Sequence, residues 1–241
     1  MYNITACLLT FNEERWIDLC IEHMYDYVEE ILCLDGGSTD RTVDILNKYN
    51  KVRYYVIPQP SESRGCVGWN EGDRRNILQD AARTEWILCL GCDELFDDAL
   101  WDNLGTMLAD PDIIGWGFHR INYFYNFKYH KPVHIPNNAG EVRIYRRLPQ
   151  IRWETKNAHN FLLFNGKRLY DLDNVKNTGL LIHHLHRVGI RGFKPEYDRR
   201  RPGSFIIEED IINSSKFITI GMDKRYKEIK LPSILKIKDI V

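Results

Sequence analysis

Residues 85–94 read EWILCLGCDE, a strand-like stretch over 85–90, apolar from Trp86 on, followed by Gly91, Cys92 and two adjacent carboxylates, Asp93 and Glu94. A run of that length stopped by glycine fits a strand buried on both faces. The same pattern recurs twice upstream. ITACLLT (4–10) leads into Phe11-Asn12-Glu13, and EILCL (30–34) is stopped by DGGSTD (35–40). In an open parallel sheet the carboxyl ends of the strands form the ligand crevice, so three polar clusters at three strand ends are expected to meet at one edge.

The segments between these strands have helical periodicity. Trp16, Leu19, Cys20, Met24 and Tyr27 predict a helix over 14–27 with that face inward. A second helix carries Val43, Leu46 and Tyr49, with Ser38 or Thr39 as its cap. VRYYVI (52–57) reads as a third strand, PQPSESRGCVGWNEG (58–72) as a long polar loop, and 73–82 as a third helix. This alternation predicts an α/β fold with a mainly parallel central sheet flanked by helices. Beyond residue 110 the alternating, aromatic segments IIGWGFHRINYFYNF, EVRIYRR and GLLIHHLH predict a mixed or antiparallel C-terminal extension.

Composition excludes several classes. The 241 residues carry a formal charge of −1, with 44% hydrophobic and 28% charged residues, so no global field directs the chain to nucleic acid or an anionic membrane. No stretch reaches the length of a membrane span, and the N-terminus runs directly into a strand, so the chain reads as a soluble, cytoplasmic protein. The six cysteines (7, 20, 33, 66, 89, 92) sit mostly in apolar runs and are expected to be reduced core thiols, the Cys89-x-x-Cys92 pair included.

LLTFNEE (8–14), CLDGGSTDRT (33–42), GDRRNIL (72–78) and WILCLGCDE (86–94), in that order, resemble the nucleotide-sugar half of family 2 glycosyltransferases, over roughly residues 4–98. The resemblance implies a Rossmann-like GT-A fold over 1–241 as a single domain, with a nucleotide-sugar-binding half (1–98) and an acceptor-binding half (99–241). It implies that Phe11 stacks on a pyrimidine base, that Asn12 and Glu13 hydrogen-bond base or ribose, and that Asp35 accepts the ring N–H. Arg75 is implied to pair with the diphosphate, and Thr10, Gly37 and Cys92 to complete the donor site. Asp93 is implied to hold Mn²⁺ or Mg²⁺, which offsets the charge of the departing diphosphate.

Two departures bear on the chemistry. The family pattern carries an acid where this chain has Gly91, and a segment that usually ends His-Glu ends here in His159-Asn160. By the same resemblance a late histidine completes the metal shell: His184 matches best, with His186 and His183 as alternates. Glu154, His159 and Glu141 are the candidate general bases for an inverting transfer. The basic segment 187–203, with six basic and two acidic residues, is expected to close over the diphosphate as a lid. The expected activity is metal-assisted transfer from a UDP- or dTDP-linked sugar to a saccharide, a lipid-linked glycan or a modified nucleobase. The rival readings are a catalytically silent nucleotide-sugar binder, suggested by Gly91 and Asn160, and a zinc-stabilised module using Cys89, Cys92 and two late histidines.

Overall fold

The computed structural model describes residues 1–59, 70–125, 129–130, 139–155, 160–188 and 232–235. Cys66, His159 and nearly all of the basic segment and the tail lie outside the described residues, as does most of the loop expected at 58–72. The elements in chain order are β1 (Tyr2–Thr10), α1 (Ile17–Met24), β2 (Val28–Asp35), α2 (Thr42–Leu46), β3 (Val52–Val56), α3 (Glu71–Ala81), β4 (Trp86–Gly91), β5 (Glu94–Phe96) and α4 (Ala99–Ala109). There follow β6 (Gly115–Tyr125), β7 (Tyr129–His130), β8 (Glu141–Arg146), β9 (Ile151–Trp153), β10 (Leu162–Phe164), β11 (Lys167–Arg168) and β12 (Val175–Val188).

The main sheet runs β3-β2-β1-β4-β8-β6-β12-β5, with β7 on β6. Its first four strands are parallel in the order 3-2-1-4 of a nucleotide-binding half. Beyond β4 the pairing is mixed: β8 is antiparallel to β4 and β6, β12 is parallel to β6, and β5 is antiparallel to β12. This is the expected α/β architecture, a parallel sheet flanked by helices and continued by a mixed extension.

Strand periodicity explains why the central runs are apolar throughout. Ile4, Ala6 and Leu8, with Ile31, Cys33, Trp86, Leu88 and Leu90, face one core, which α1, α2 and α4 cover. Cys7, Leu32, Leu34, Ile87 and Cys89 face the other, which Leu78 of α3 and Ile151 and Leu162 of the small β9-β10-β11 sheet cover. Successive side chains point to opposite faces, and both faces are dry, so the runs are apolar except where buried polar groups pair, as Thr5 does with Glu30 at 2.9 Å. Cys89 and Cys92 consequently belong to different cores, which excludes a shared zinc or redox site and overturns the zinc-module reading.

Two helix expectations shift. α1 is shorter than 14–27, and its buried stripe is Ile17, Cys20, Ile21 and Met24, with Trp16, Leu19 and Tyr27 only flanking the core. α2 is not capped by Ser38 or Thr39. Asp40 accepts from the Thr42 amide at 2.9 Å, because Ser38 and Thr39 are engaged elsewhere. Among the described residues no helix is long and apolar enough to cross a membrane.

His23 packs edge-on against Trp101 and lies 3.0 Å from the Phe96 carbonyl. Burial holds its pKa down, from 6.5 to about 4. The folded state therefore keeps it neutral where the unfolded chain takes up a proton. Its contribution is fully present above about pH 6.5 and is lost as pH falls from there toward 4. We expect His23→Gln to lose less stability than wild type between about pH 7 and pH 4.5, by on the order of 2–3 kcal/mol. Denaturant titrations at the two pH values check this, and equal losses would contradict it.

Candidate nucleotide-sugar site

Strand register brings the three polar clusters together. Thr10 pairs with Asp35 across β1 and β2, and Leu9 pairs with Gly91 across β1 and β4, so residues 10–14, 35–40 and 91–94 leave the sheet side by side. The first two loops are then stitched to each other. Gly36 N–H donates to the Thr10 carbonyl at 2.8 Å, Asn12 N–H to Ser38 Oγ at 2.8 Å, and Thr39 N–H to Asn12 Oδ1 at 2.8 Å. Glu13 N–H donates to Thr42 Oγ1 at 2.7 Å. Asn12 has φ 55° and Gly37 φ 87°; asparagine and glycine tolerate this left-handed backbone best.

Asp35 sits at the centre of this seam with no exposed surface. One of its oxygens accepts from Gly37 N–H (2.9 Å) and Ser38 N–H (2.8 Å), the other from Thr10 Oγ1 (2.8 Å) and Ser38 Oγ (2.6 Å). These four bonds make it the clamp that shapes the loop, and they occupy the oxygens expected to take a pyrimidine N–H. Thr10, also fully buried, is the other half of that clamp. The seam leaves Phe11, 39% exposed, open to solvent, together with Asn12, Thr39 and the half-buried Gly37 and Ser38.

Two further expected site residues are engaged by their own neighbours. Cys92 is buried, and its thiol donates to the Leu9 carbonyl at 3.2 Å, so its side chain faces the core rather than a ligand. Arg75 is spent on neighbours: Glu71 takes its Nε and Nη2 at 2.8 and 2.6 Å, Cys89 Sγ contacts Nη1, and Trp153 lies under the guanidinium at 4.9 Å.

Asp93 and His184 do come together. β5 pairs antiparallel with β12, setting Glu94 opposite His184, and Leu185 N–H donates to the Asp93 carbonyl at 2.7 Å. His184 Nε2 thus lies 3.2 Å from Asp93 Oδ2, and its Nδ1 lies 2.7 Å from Asn122 Oδ1 on β6. His183 points the other way, fully buried, between Asp97 Oδ1 (2.7 Å) and the Tyr123 hydroxyl (2.9 Å), which makes it structural. His186 lies on β12, and its side chain is outside the description.

The Asp93–His184 pair fits a divalent cation. Neighbouring ligand atoms on an octahedral ion about 2.1 Å away are themselves about 3 Å apart, close to the spacing seen. Among the described residues no third His, Cys, Asp or Glu joins them in a metal-holding group, so diphosphate oxygens and water would complete such a shell.

Glu94 serves this turn from below. Its Oε2 accepts from Gly91 N–H at 2.8 Å and its Oε1 from Arg143 at 3.0 Å, while Arg143 also donates to Glu141 at 2.9 Å and Arg120 pairs with Glu141 at 3.2 Å. Both oxygens of Glu141 are committed to arginines, which argues against the base role expected of it. Glu154 is half-buried just after β9, with its N–H on the Phe161 carbonyl at 2.8 Å and its own carbonyl where a Cβ on Gly72 would sit. Sequence reasoning missed Asn122 and the Glu94–Arg143–Glu141–Arg120 network. Its detectable signal was Arg120 and Arg143 set beside apolar residues inside strands, since a buried charge must find a partner.

Two expectations follow from these contacts. Asp35→Ala orphans four donors and should destabilise the fold by roughly 2–4 kcal/mol, measured by denaturation; an unchanged midpoint would contradict the clamp. Gly91→Asp restores the family acid, but a Cβ there lies 2.9 Å from Asp93 Oδ1 and 3.2 Å from Glu94 Oε2. Calorimetry should therefore show weaker Mn²⁺ binding in that variant, and tighter binding would mean that the turn tolerates the acid.

Comparison with known proteins places the chain in a family. The profile of the family described as Glycosyl transferase family 2 matches residues 5–175. The lipopolysaccharide core biosynthesis glycosyltransferase LpsC of Rhizobium meliloti is 24% identical over 239 residues, covering 97% of this chain and 76% of that protein. Among solved structures, residues 1–349 of S. aureus TarS align at 19% identity with a TM-score of 0.41, covering 60% of this chain and 47% of that one. The family match runs from within β1 to the start of β12, well over half of the sequence, and the protein belongs to glycosyl transferase family 2.

Proposed function

We propose that the protein transfers a sugar from a UDP- or dTDP-linked donor to an acceptor hydroxyl, with a divalent cation and with inversion at the sugar carbon. The observation that carries this reading is the Asp93–His184 pair at 3.2 Å, on the same sheet edge as the exposed Phe11 ledge. Phe11 offers its ring to the base, and the Asn12, Glu13 and Gly37 region offers polar groups to base and ribose. Asp35 and Thr10 act one layer down, holding that ledge in shape.

Asp93 and His184 would hold Mn²⁺ or Mg²⁺, which when bound supplies positive charge against the diphosphate. A carboxylate and an imidazole are both acceptable ligands for such ions, and two protein ligands leave room for phosphate oxygens. Glu154 takes the proton of the acceptor hydroxyl, and His159 is the alternative. Residues 99–241 supply the acceptor side. The name of LpsC supports a saccharide or lipid-linked glycan over a modified nucleobase as acceptor. A cytoplasmic location belongs to the same proposal, supported by the buried, unpaired thiols of Cys7, Cys20, Cys33, Cys89 and Cys92.

The test is a panel of nucleotide sugars with and without Mn²⁺, scored for thermal stabilisation and for slow donor hydrolysis without acceptor. A UDP- or dTDP-sugar should stabilise the protein and be hydrolysed only with the metal. Asp93→Ala should reduce that hydrolysis by at least about 10²-fold. Glu154→Gln should leave donor binding intact and lower acceptor-dependent turnover by about 10²–10⁴. Stabilisation without hydrolysis or transfer would identify the silent binder instead, and full activity in EDTA would remove the cation from the account.

A further inference from the structure

We propose that Asn122 is a positioning residue that fixes the tautomer of His184 and thereby presents its Nε2 to a cation shared with Asp93; this rests on the metal-assisted reading given above. Asn122 sits directly opposite His184 in the parallel β6–β12 register, and its Oδ1 lies 2.7 Å from His184 Nδ1. An amide oxygen can only accept, so at that distance Nδ1 carries the proton. A neutral imidazole with its proton on Nδ1 has a lone pair on Nε2, and Nε2 is the atom 3.2 Å from Asp93 Oδ2.

Without the Asn122 oxygen, the neutral ring would be drawn to place its proton on Nε2, facing the carboxylate. Two groups that must both act as ligands would then hydrogen-bond to each other. Neighbouring strand contacts leave little room for the ring to find another pose: Ile121 pairs with His183 one step back, and Leu185 N–H is held by the Asp93 carbonyl at 2.7 Å one step on. Asn122 is half-buried, and successive strand side chains alternate, so it faces the same side as His184 while Ile121 and Tyr123 face the other.

The experiment uses the full chain without metal or donor. In wild type at alkaline pH, the nitrogen NMR shifts of the His184 ring should report the proton on Nδ1, and calorimetric titration should show Mn²⁺ binding. Asn122→Leu, similar in size but without an acceptor, should move the proton to Nε2 and weaken Mn²⁺ binding by about 10- to 100-fold, the usual effect of losing such an outer partner. Asn122→Asp restores an acceptor and should restore both the Nδ1 proton and binding to within a few-fold of wild type, which a merely structural role would not predict. A His184 proton on Nε2 in wild type, or Mn²⁺ affinity equal in wild type and Asn122→Leu, would overturn the role of Asn122. Failure of wild type to take up Mn²⁺ at all would overturn it through the metal assignment on which it rests, and the two failures are distinguished by whether wild type binds the ion.

Discussion

A single buried carboxylate sets the geometry on which the site depends. Asp35 gathers the Gly37 and Ser38 amides, the Ser38 hydroxyl and the Thr10 hydroxyl onto its two oxygens. A carboxylate with no exposed surface is tolerable only when its lone pairs are filled, and these four donors fill them. The consequence is mechanical. The loops after β1 and β2 leave the sheet as one unit, and the Asn12 contacts with Ser38 and Thr39 extend that unit outward. Phe11 is exposed because its neighbours on both sides are tied down.

The second half of the site uses the same strategy with ion pairs. Glu94, Glu141, Arg120 and Arg143 carry two charges of each sign, and the Glu94 and Arg143 side chains are almost fully buried. Isolated, any one of these would be costly to bury; together they neutralise one another and anchor the Gly91 amide. The turn that follows projects Asp93 toward β12, and the β5–β12 pairing carries His184 to meet it. A side chain at Gly91 would crowd the carboxylates of Asp93 and Glu94, which would have to move to admit an acid.

Much of this was legible in the sequence. The continuous apolar runs of β1, β2 and β4 announce strands dry on both faces, and the acids after them announce the carboxyl-end crevice. The opposite facing of His183 and His184 follows from the two-residue strand period. Individual roles were less legible, because a motif residue looks alike whether it touches a ligand or its own loop. Asp35, Cys92 and Arg75 all turned inward, to backbone amides, the Leu9 carbonyl and Glu71 respectively, and those partners are fixed by tertiary contacts. Asn122 was invisible for the opposite reason: it lies in an aromatic strand with no motif, and only the register with β12 gives it a task. The end of α1 was misjudged because Trp16 and Tyr27 keep helical spacing with the core stripe while packing at its margin.

The most direct measurement is a crystal structure with Mn²⁺ and uridine diphosphate, locating the metal by its anomalous scattering. The account predicts the ion bound by Asp93 and His184, the uracil against Phe11, and Asp35 still bonded to Thr10, Gly37 and Ser38. Manganese bound away from Asp93 and His184, or a uracil taking its N–H bond from an unclamped Asp35, would contradict it.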